Sequence, residues 1–449
     1  MSLMPTPELP EPLFPAADPA QRRRLQEFLL AGLVLALLAG IAYTLMHPMA
    51  RSLAYHEWLQ PLAYALLVWA GLELVLLLLK TLLWFHYRPV PSAALEAAPA
   101  LTVIIPAYNE GAMVEQSIDS VARAHYPAEL LEILVVDDGS RDDTWDYIEQ
   151  AAARHPGVVT TVRFPENRGK RAALLEGFRR ARGEVVVTID SDSVIDAGTL
   201  LALVAPFADE RVGAVAGKVV VHNRHEGTIP RMLQVAYILS FDYLRAAQSG
   251  YRTVYCCPGA LAAYRTSAVR EVLDAWMNQT FWGAACTYGE DRAMTNYLLA
   301  RGYDTLYQNT AVVRTMVPTT YRRLCKMFLR WDRSFIREEI RLAGIVWRRP
   351  PVARLLTVFD RVITDVRFPL RYLGTGLAGL MVMDEPAALG SLLLGSTLFS
   401  TLYALYYLRS ERSWNVLFGV AYSYYSALAL WWILPYAALT LRAKSWMTR

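Results

Sequence analysis

Val185-Val-Val-Thr-Ile189 runs straight into Asp190-Ser-Asp-Ser193. A β-branched run bounded by polar turn residues reads as a buried strand. Two carboxylates just past its end are placed to hold a hard divalent cation against a diphosphate. The same unit recurs upstream. Leu101-Thr-Val-Ile-Ile105 ends at Pro106, Glu132-Ile-Leu-Val-Val136 ends in Asp137-Asp138-Gly139-Ser140, and Val158 to Phe164 reads as a further strand. Ala112 to His125, Asp142 to Arg154 and Lys170 to Ala181 fall between them with helical character. This alternation predicts an α/β domain over residues 99–320 with a doubly wound, mostly parallel sheet, whose ligands bind beyond the carboxyl ends of the strands. Tyr108, Asp138 and Asp190 all fall at those ends.

The domain is bracketed by apolar segments. The chain has 449 residues and is 54% hydrophobic, with the apolar residues gathered at the two ends. Phe28 to Met46 contains no charge and is long enough for a hydrocarbon core of about 30 Å. No small-residue cleavage site follows it, so it reads as a retained span. Leu62 to Phe85 is a second span carrying Glu73 and Lys80, charges that must face protein, water or each other at that depth. Pro369 to Met383, Ala387 to Leu408 and Trp414 to Leu441 are further candidates. Arg22-Arg23-Arg24 precedes the first span and only Arg51 follows it, so the N-terminus and, two crossings later, the central domain are expected in the cytoplasm of an inner-membrane, multi-pass protein. Three C-terminal crossings would leave Arg442-Ala443-Lys444 outside, against that rule. Either Pro435 makes the last segment re-entrant or interfacial, or one segment does not cross, and the C-terminus is expected to be cytoplasmic.

Other function classes drop out. The net charge is only +4 and no basic run alternates with aromatics, which excludes a nucleic-acid groove. Cys256, Cys257, Cys286 and Cys325 have no C-x-x-C spacing and should be reduced thiols. Met1 to Ala20, with six prolines, reads as the core of a disordered tail over 1–25.

Six motifs in order carry a resemblance: Pro106-Ala-Tyr-Asn-Glu110, Val136-Asp-Asp-Gly-Ser140, Asn167-Arg-Gly-Lys-Arg171, Asp190-Ser-Asp-Ser193, Gly289-Glu-Asp-Arg292 and Arg330-Trp331. Together they resemble a processive family 2 glycosyltransferase over residues 100 to 340. Within that family the chain is most similar to the class I hyaluronan synthases and next to the nodulation chitin-oligosaccharide synthases. Arg245-Ala-Ala-Gln-Ser249, Asn278-Gln-Thr-Phe281, Thr295-Asn-Tyr297 and the terminal Trp446-Met-Thr-Arg449 point toward the former.

The resemblance implies a GT-A-type fold, UDP-sugar donors and Mg2+ or Mn2+ held by Asp190 and Asp192. It implies a donor site of Tyr108, Glu110, Asp138, Lys170, Arg171 and Asp190, with Tyr108 stacking on uracil or, as the plainer reading, covering the core. Asp291, assisted by Glu290, would take the proton of the acceptor hydroxyl in a single inverting displacement; a helix N-terminal acidic pair is the structural alternative. Arg330 would neutralise the leaving diphosphate, and Trp331 would stack on the acceptor sugar at a channel mouth. Cys257, Gly259 and Trp446 would complete the acceptor side, Cys257 being alternatively a small buried thiol. The chain departs from the family's Q-x-x-R-W at Met327, where a thioether cannot donate the amide's hydrogen bond, and at Ala260, where a proline is usual. Residues 321–366, basic and amphipathic up to Arg354, are expected along the cytoplasmic membrane face, followed by C-terminal spans over 367–441 and the 442–449 segment. The implied product is a β-linked N-acetylglucosamine-containing polymer extruded through the bilayer, most readily hyaluronan. A chitin-type product or a catalytically silent sugar-binding membrane protein are the other readings, and no obligatory protein partner is expected.

Overall fold

A computed structural model describes residues 32–44, 46 and 57–443. The proline-rich tail, Arg22–Arg24, Arg51, part of the first apolar run and Trp446 lie outside the described residues. The chain divides into two compact units, one taking in residues up to Ala63 with Thr375–Tyr403, the other Tyr64–Gly374 with Ala404–Arg449.

In chain order the elements are α1 (Gly32–Thr44), α2 (Gln60–His86), β1 (Leu101–Ala107), α3 (Met113–Ala122), β2 (Leu131–Asp137), α4 (Thr144–Arg154), β3 (Val159–Arg163), α5 (Lys170–Arg180), β4 (Val185–Thr188), β5 (Ser193–Ile195), α6 (Thr199–Val204) and β6 (Val212–Val221). There follow α7 (Thr228–Ile238), a π-helical turn (Leu239–Tyr243), α8 (Leu244–Ser249), β7 (Ala262–Arg265), α9 (Thr266–Met277), the two-residue strands β8 (Thr280–Phe281) and β9 (Ala284–Ala285), α10 (Glu290–Ala300), β10 (Asp304–Thr315), α11 (Tyr321–Ile345), α12 (Pro351–Asp384), α13 (Ala388–Glu411), α14 (Val416–Ala429) and α15 (Ile433–Leu439).

The second unit is built on an eight-stranded sheet ordered β3-β2-β1-β4-β7-β6-β10-β5. β3, β2, β1 and β4 are mutually parallel, as are β6 and β10. β7 is antiparallel to both β4 and β6, and β5 to β10. The expected mostly parallel sheet is therefore a mixed one. β7 is four residues long and contains no β-branched side chain, so local pattern does not announce it; pairing on both edges makes it a strand. All seven residues of β1 are buried because both sheet faces are covered. Val103 and Ile105 pack with α3, α6 and α7 on one face, while Ile104 packs with α5, α9 and α10 on the other, the period-two alternation of a strand.

Two described helical segments are long and apolar enough to cross a membrane, Glu57–His86 and Ala388–Glu411, and α14 with α15, bent by 49°, makes a third if the pair counts as one span. α12 runs unbroken for 34 residues with Pro369 inside it, so no helix begins at Pro369. In the first unit α1 packs closely at Gly40, where a Cβ would lie 2.9 Å from Leu398 Cδ1.

Candidate active site

Parallel strands bring their carboxyl ends to one edge, and there the chain gathers groups about a hundred residues apart in sequence. Lys170, the first residue of α5, sets its Nζ 2.5 Å from Asp190 Oδ1 past β4 and 3.2 Å from Glu290 Oε1 at the start of α10. Asp291 follows in the same first helical turn. Its Oδ2 accepts from the Gly259 N–H at 3.2 Å and lies 3.7 Å from Cys256 Sγ, and its Oδ1 accepts from the Arg292 N–H at 2.7 Å. Gly259 stands where these groups meet: a Cβ on it would lie 3.0 Å from Lys170 Nζ and 3.7 Å from Asp190 Oδ1. Gly289, which caps α10, has φ +79° and a Cβ there would strike Ser334, so the entry into Glu290 and Asp291 requires glycine.

The electrostatics separate the two carboxyls. Burial, and then the neighbouring Glu290, pushes the Asp291 carboxyl above its ordinary range. Burial also acts upward on Glu290, but Lys170, with Arg171 and Arg330, outweighs it and holds Glu290 low. Burial would deprotonate Lys170, yet Asp190, Glu290 and Asp291 together raise it and keep it charged. One ionised carboxylate paired with lysine beside one whose proton affinity is raised is an arrangement suited to accepting a proton.

Asp192 is buried, its Oδ1 accepting from Ser193 Oγ and Thr315 Oγ1 at 3.2 Å each. Among the described residues no group of three or more histidine, cysteine or acidic side chains could close a metal shell. Asp190 and Asp192 each supply a carboxylate oxygen of the kind a hard cation takes; here Asp190 Oδ1 is engaged by Lys170 and Asp192 Oδ1 by Ser193 and Thr315.

On the donor side Tyr108 is half-buried beyond β1. The Glu110 N–H donates to Thr144 Oγ1 at 2.8 Å. Asp138 accepts from Asn167 Nδ2 at 3.0 Å, the Arg168 N–H at 2.7 Å and the Gly169 N–H at 2.8 Å, so it anchors the loop leading into Lys170. Arg171 and Cys257, both expected site residues, are buried. Arg171, expected on the donor side, donates to Trp276 O at 2.8 Å and Gln279 Oε1 at 3.1 Å, and lies over the Trp276 ring, because the residue after Lys170 on a helix faces about 100° away from it. Cys257, expected on the acceptor side or as a small buried thiol, has the surroundings of the latter. It is fully buried in the core against α10, and the thiol facing Asp291 is that of Cys256, pushed up to about 11 by burial and then by Asp291. Adjacent cysteines in irregular chain give no sequence signal of which faces the cleft.

Arg330 and Trp331 lie on α11. The charge of Arg330 reaches Glu290, while the Trp331 ring packs 5.9 Å from Tyr237 and 6.3 Å from Phe241. Phe241 belongs to the π-helical turn, a feature often found at functional sites and not legible in the sequence. Tyr237 OH donates to Met327 Sδ at 3.7 Å, so the thioether occupies an acceptor position next to the Trp331 platform. The basic face of α11 is only partly a surface. Arg322 and Arg323 are exposed, but Arg333 is buried against Thr440, Arg337 donates to Tyr288 O at 2.8 Å, and Arg349, just beyond the helix, pairs with Asp304 at 2.8 Å. These cations hold the helix to the domain.

The chain is similar to known glycosyltransferases. Residues 102–273 match the profile of glycosyl transferase family 2. The N-acetylglucosaminyltransferase of Azorhizobium caulinodans is 30% identical over 80% of this chain and 89% of its own, and that of Rhizobium meliloti 30% over 81% and 86%. The hyaluronan synthase of Streptococcus pyogenes is 35% identical over 64% of this chain and 68% of its own. A mannosyltransferase of Pyrobaculum calidifontis, solved with GDP-Man and Mn2+, shares the fold with a TM-score of 0.50 at 22% identity, covering 89% of this chain and 99% of that one. By these relationships the chain is an enzyme of the GT-A-like α/β type and belongs to glycosyltransferase family 2.

Proposed function

We propose that the protein is a membrane-embedded, processive, inverting transferase that polymerises UDP-activated sugars into a β-linked N-acetylglucosamine-containing polysaccharide and passes it across the inner membrane. The observation that carries this is the meeting of Asp190, Lys170, Glu290 and Asp291 around Gly259, with Arg330 within electrostatic reach.

In this reading Tyr108 stacks on the uracil and Asp138 holds the Asn167–Gly169 loop against the nucleoside. Asp190 and Asp192 would hold a divalent cation, Mg2+ or Mn2+, which would supply positive charge to offset that of the diphosphate. Asp291 receives the proton of the acceptor hydroxyl as it attacks the anomeric carbon, and the diphosphate leaves from the opposite face, without a covalent sugar–enzyme intermediate. Arg330 offsets charge growing on the leaving group, and Trp331 supports the acceptor ring. The catalytic unit faces the cytoplasm, where UDP-sugars are supplied, and no other protein is required.

Hyaluronan is the leading product, supported by the 35% identity to the streptococcal synthase. A chitin-type homopolymer is the second reading, favoured by the longer match to the N-acetylglucosaminyltransferases. Purified protein given Mn2+ with UDP-N-acetylglucosamine and UDP-glucuronate, singly and together, distinguishes them. Polymer formed only from the pair and degraded by hyaluronidase supports hyaluronan; polymer from UDP-N-acetylglucosamine alone, degraded by chitinase, replaces it. No sugar transfer from either donor removes the proposal.

A further inference from the structure

Arg292, the residue after Asp291, takes part in an ion triad centred on the buried Glu339. Its Nη1 is 3.1 Å from Glu339 Oε1, and the same oxygen is 2.9 Å from Arg361 Nη1. Glu339 is 8% exposed and sits on α11 about two and a half turns beyond Arg330. Arg361 belongs to α12. The Phe335 ring lies near both guanidinium groups, 5.1 Å from that of Arg292 and 6.0 Å from that of Arg361.

Stability alone does not account for the triad. Buried charges lose hydration, and apolar side chains of similar volume often pack as stably or better. The polar satisfaction is also incomplete: Glu339 Oε2 and Arg361 Nε have no hydrogen-bond partner among the described residues. What an ion pair adds over apolar contact is register, and the register at stake here is catalytic. α10 carries Asp291 at its first turn, and α11 carries Arg330 and Trp331. The contacts flanking the triad tie the same two parts together. Arg337 donates to Tyr288 O at 2.8 Å, Gln279 Nε2 donates to Glu338 Oε1 at 2.5 Å, and Asn296 Nδ2 donates to Glu338 Oε2 at 3.0 Å.

We propose that Glu339 and Arg292 are positioning residues, whose ion pair holds the Asp291 turn in register with the Arg330–Trp331 helix so that base and acceptor hydroxyl meet. The inference rests on the reading of Asp291 as the base. The donor groups Tyr108, Asp138, Lys170 and Asp190 stand on other elements, so the pair governs turnover more than donor binding. A misplacement of about 1 Å costs roughly a hundredfold in rate, and a loosened but folded turn should lose a good part of that.

The test uses the full chain purified in detergent with Mn2+ and UDP-N-acetylglucosamine, adding UDP-glucuronate if polymer formation requires it. Glu339→Gln and Arg292→Met should each lower kcat at least about tenfold with donor KM within about twofold, and Arg292→Lys, which keeps the charge, should recover most of the loss. A donor KM that rises as kcat falls, or Arg292→Lys as slow as Arg292→Met, overturns the proposal. Should Glu339→Gln melt far below the parent, Glu339→Asp is measured in its place, withdrawing the carboxylate by one methylene; full kcat in that folded variant is equally fatal. Asp291→Asn separates this inference from the reading beneath it. Turnover kept in Asp291→Asn sinks the base assignment, whereas turnover lost there and unchanged in Glu339→Gln sinks only the positioning role.

Discussion

Lys170→Met tests the charge balance of the site, because it keeps side-chain bulk and removes a cation that touches both acidic clusters. Lys170 is 22% exposed at the side chain, Asp190 30% and Glu290 10%, at 2.5 and 3.2 Å. Removing one member of a buried pair costs about 3–5 kcal/mol, and since water reaches Asp190, we take about 3 kcal/mol for the two contacts together. At the low end of the usual conversion this is roughly 6 °C in melting temperature. The pH dependence has a definite sign. Although burial pushes Glu290 upward, Lys170 and its neighbours hold its carboxyl below the ordinary value. Its pairing therefore stabilises the fold above about pH 4.3, the unfolded value, and that contribution is lost as pH falls through the folded value. The gap between parent and variant should be full at neutral pH and narrow only below about pH 4.3, as Glu290 takes up its proton. Mn2+ with UDP, bringing positive charge to the same carboxylates, should narrow it as well. Thermal unfolding followed by tryptophan fluorescence at several pH values is the assay. A variant melting within about 1 °C of the parent at neutral pH would refute the view that Lys170 compensates these acids.

Two further outcomes are expected. Asp291→Asn should reduce polymer synthesis by at least about a thousandfold while UDP binding by calorimetry persists. Because burial and Glu290 raise the Asp291 carboxyl, its ionised form weakens the fold at neutral pH; the variant should melt no lower than the parent, and the parent's kcat should fall on acidification at a pH above the ordinary aspartate value of about 3.9. Met327→Gln, which offers Tyr237 OH a stronger acceptor than the thioether now 3.7 Å away, should shift the polymer length distribution more than the donor KM, as read by gel sizing and initial rates.

The strand runs Leu101–Ile105, Glu132–Val136 and Val185–Ile189, the acidic pairs after them and the apolar ends were all legible in the chain, because strand and span signals are local: a continuous apolar run, a turn residue, a length. The Asp190, Lys170, Glu290 and Asp291 constellation could be named from motifs but not assembled. That needed the β4–α5 edge and the first turn of α10 to meet at Gly259. β7 could not be read locally, since a short alanine-rich segment becomes a strand only when β4 and β6 present open edges to it. Long-range packing likewise decided which of two adjacent residues faces the cleft: Cys256 and not Cys257, Lys170 and not Arg171. It also turned Arg333, Arg337 and Glu339 of α11 inward. A helical pattern states that a side chain is charged; whether that charge meets water, lipid or a buried partner depends on what the rest of the chain packs against it.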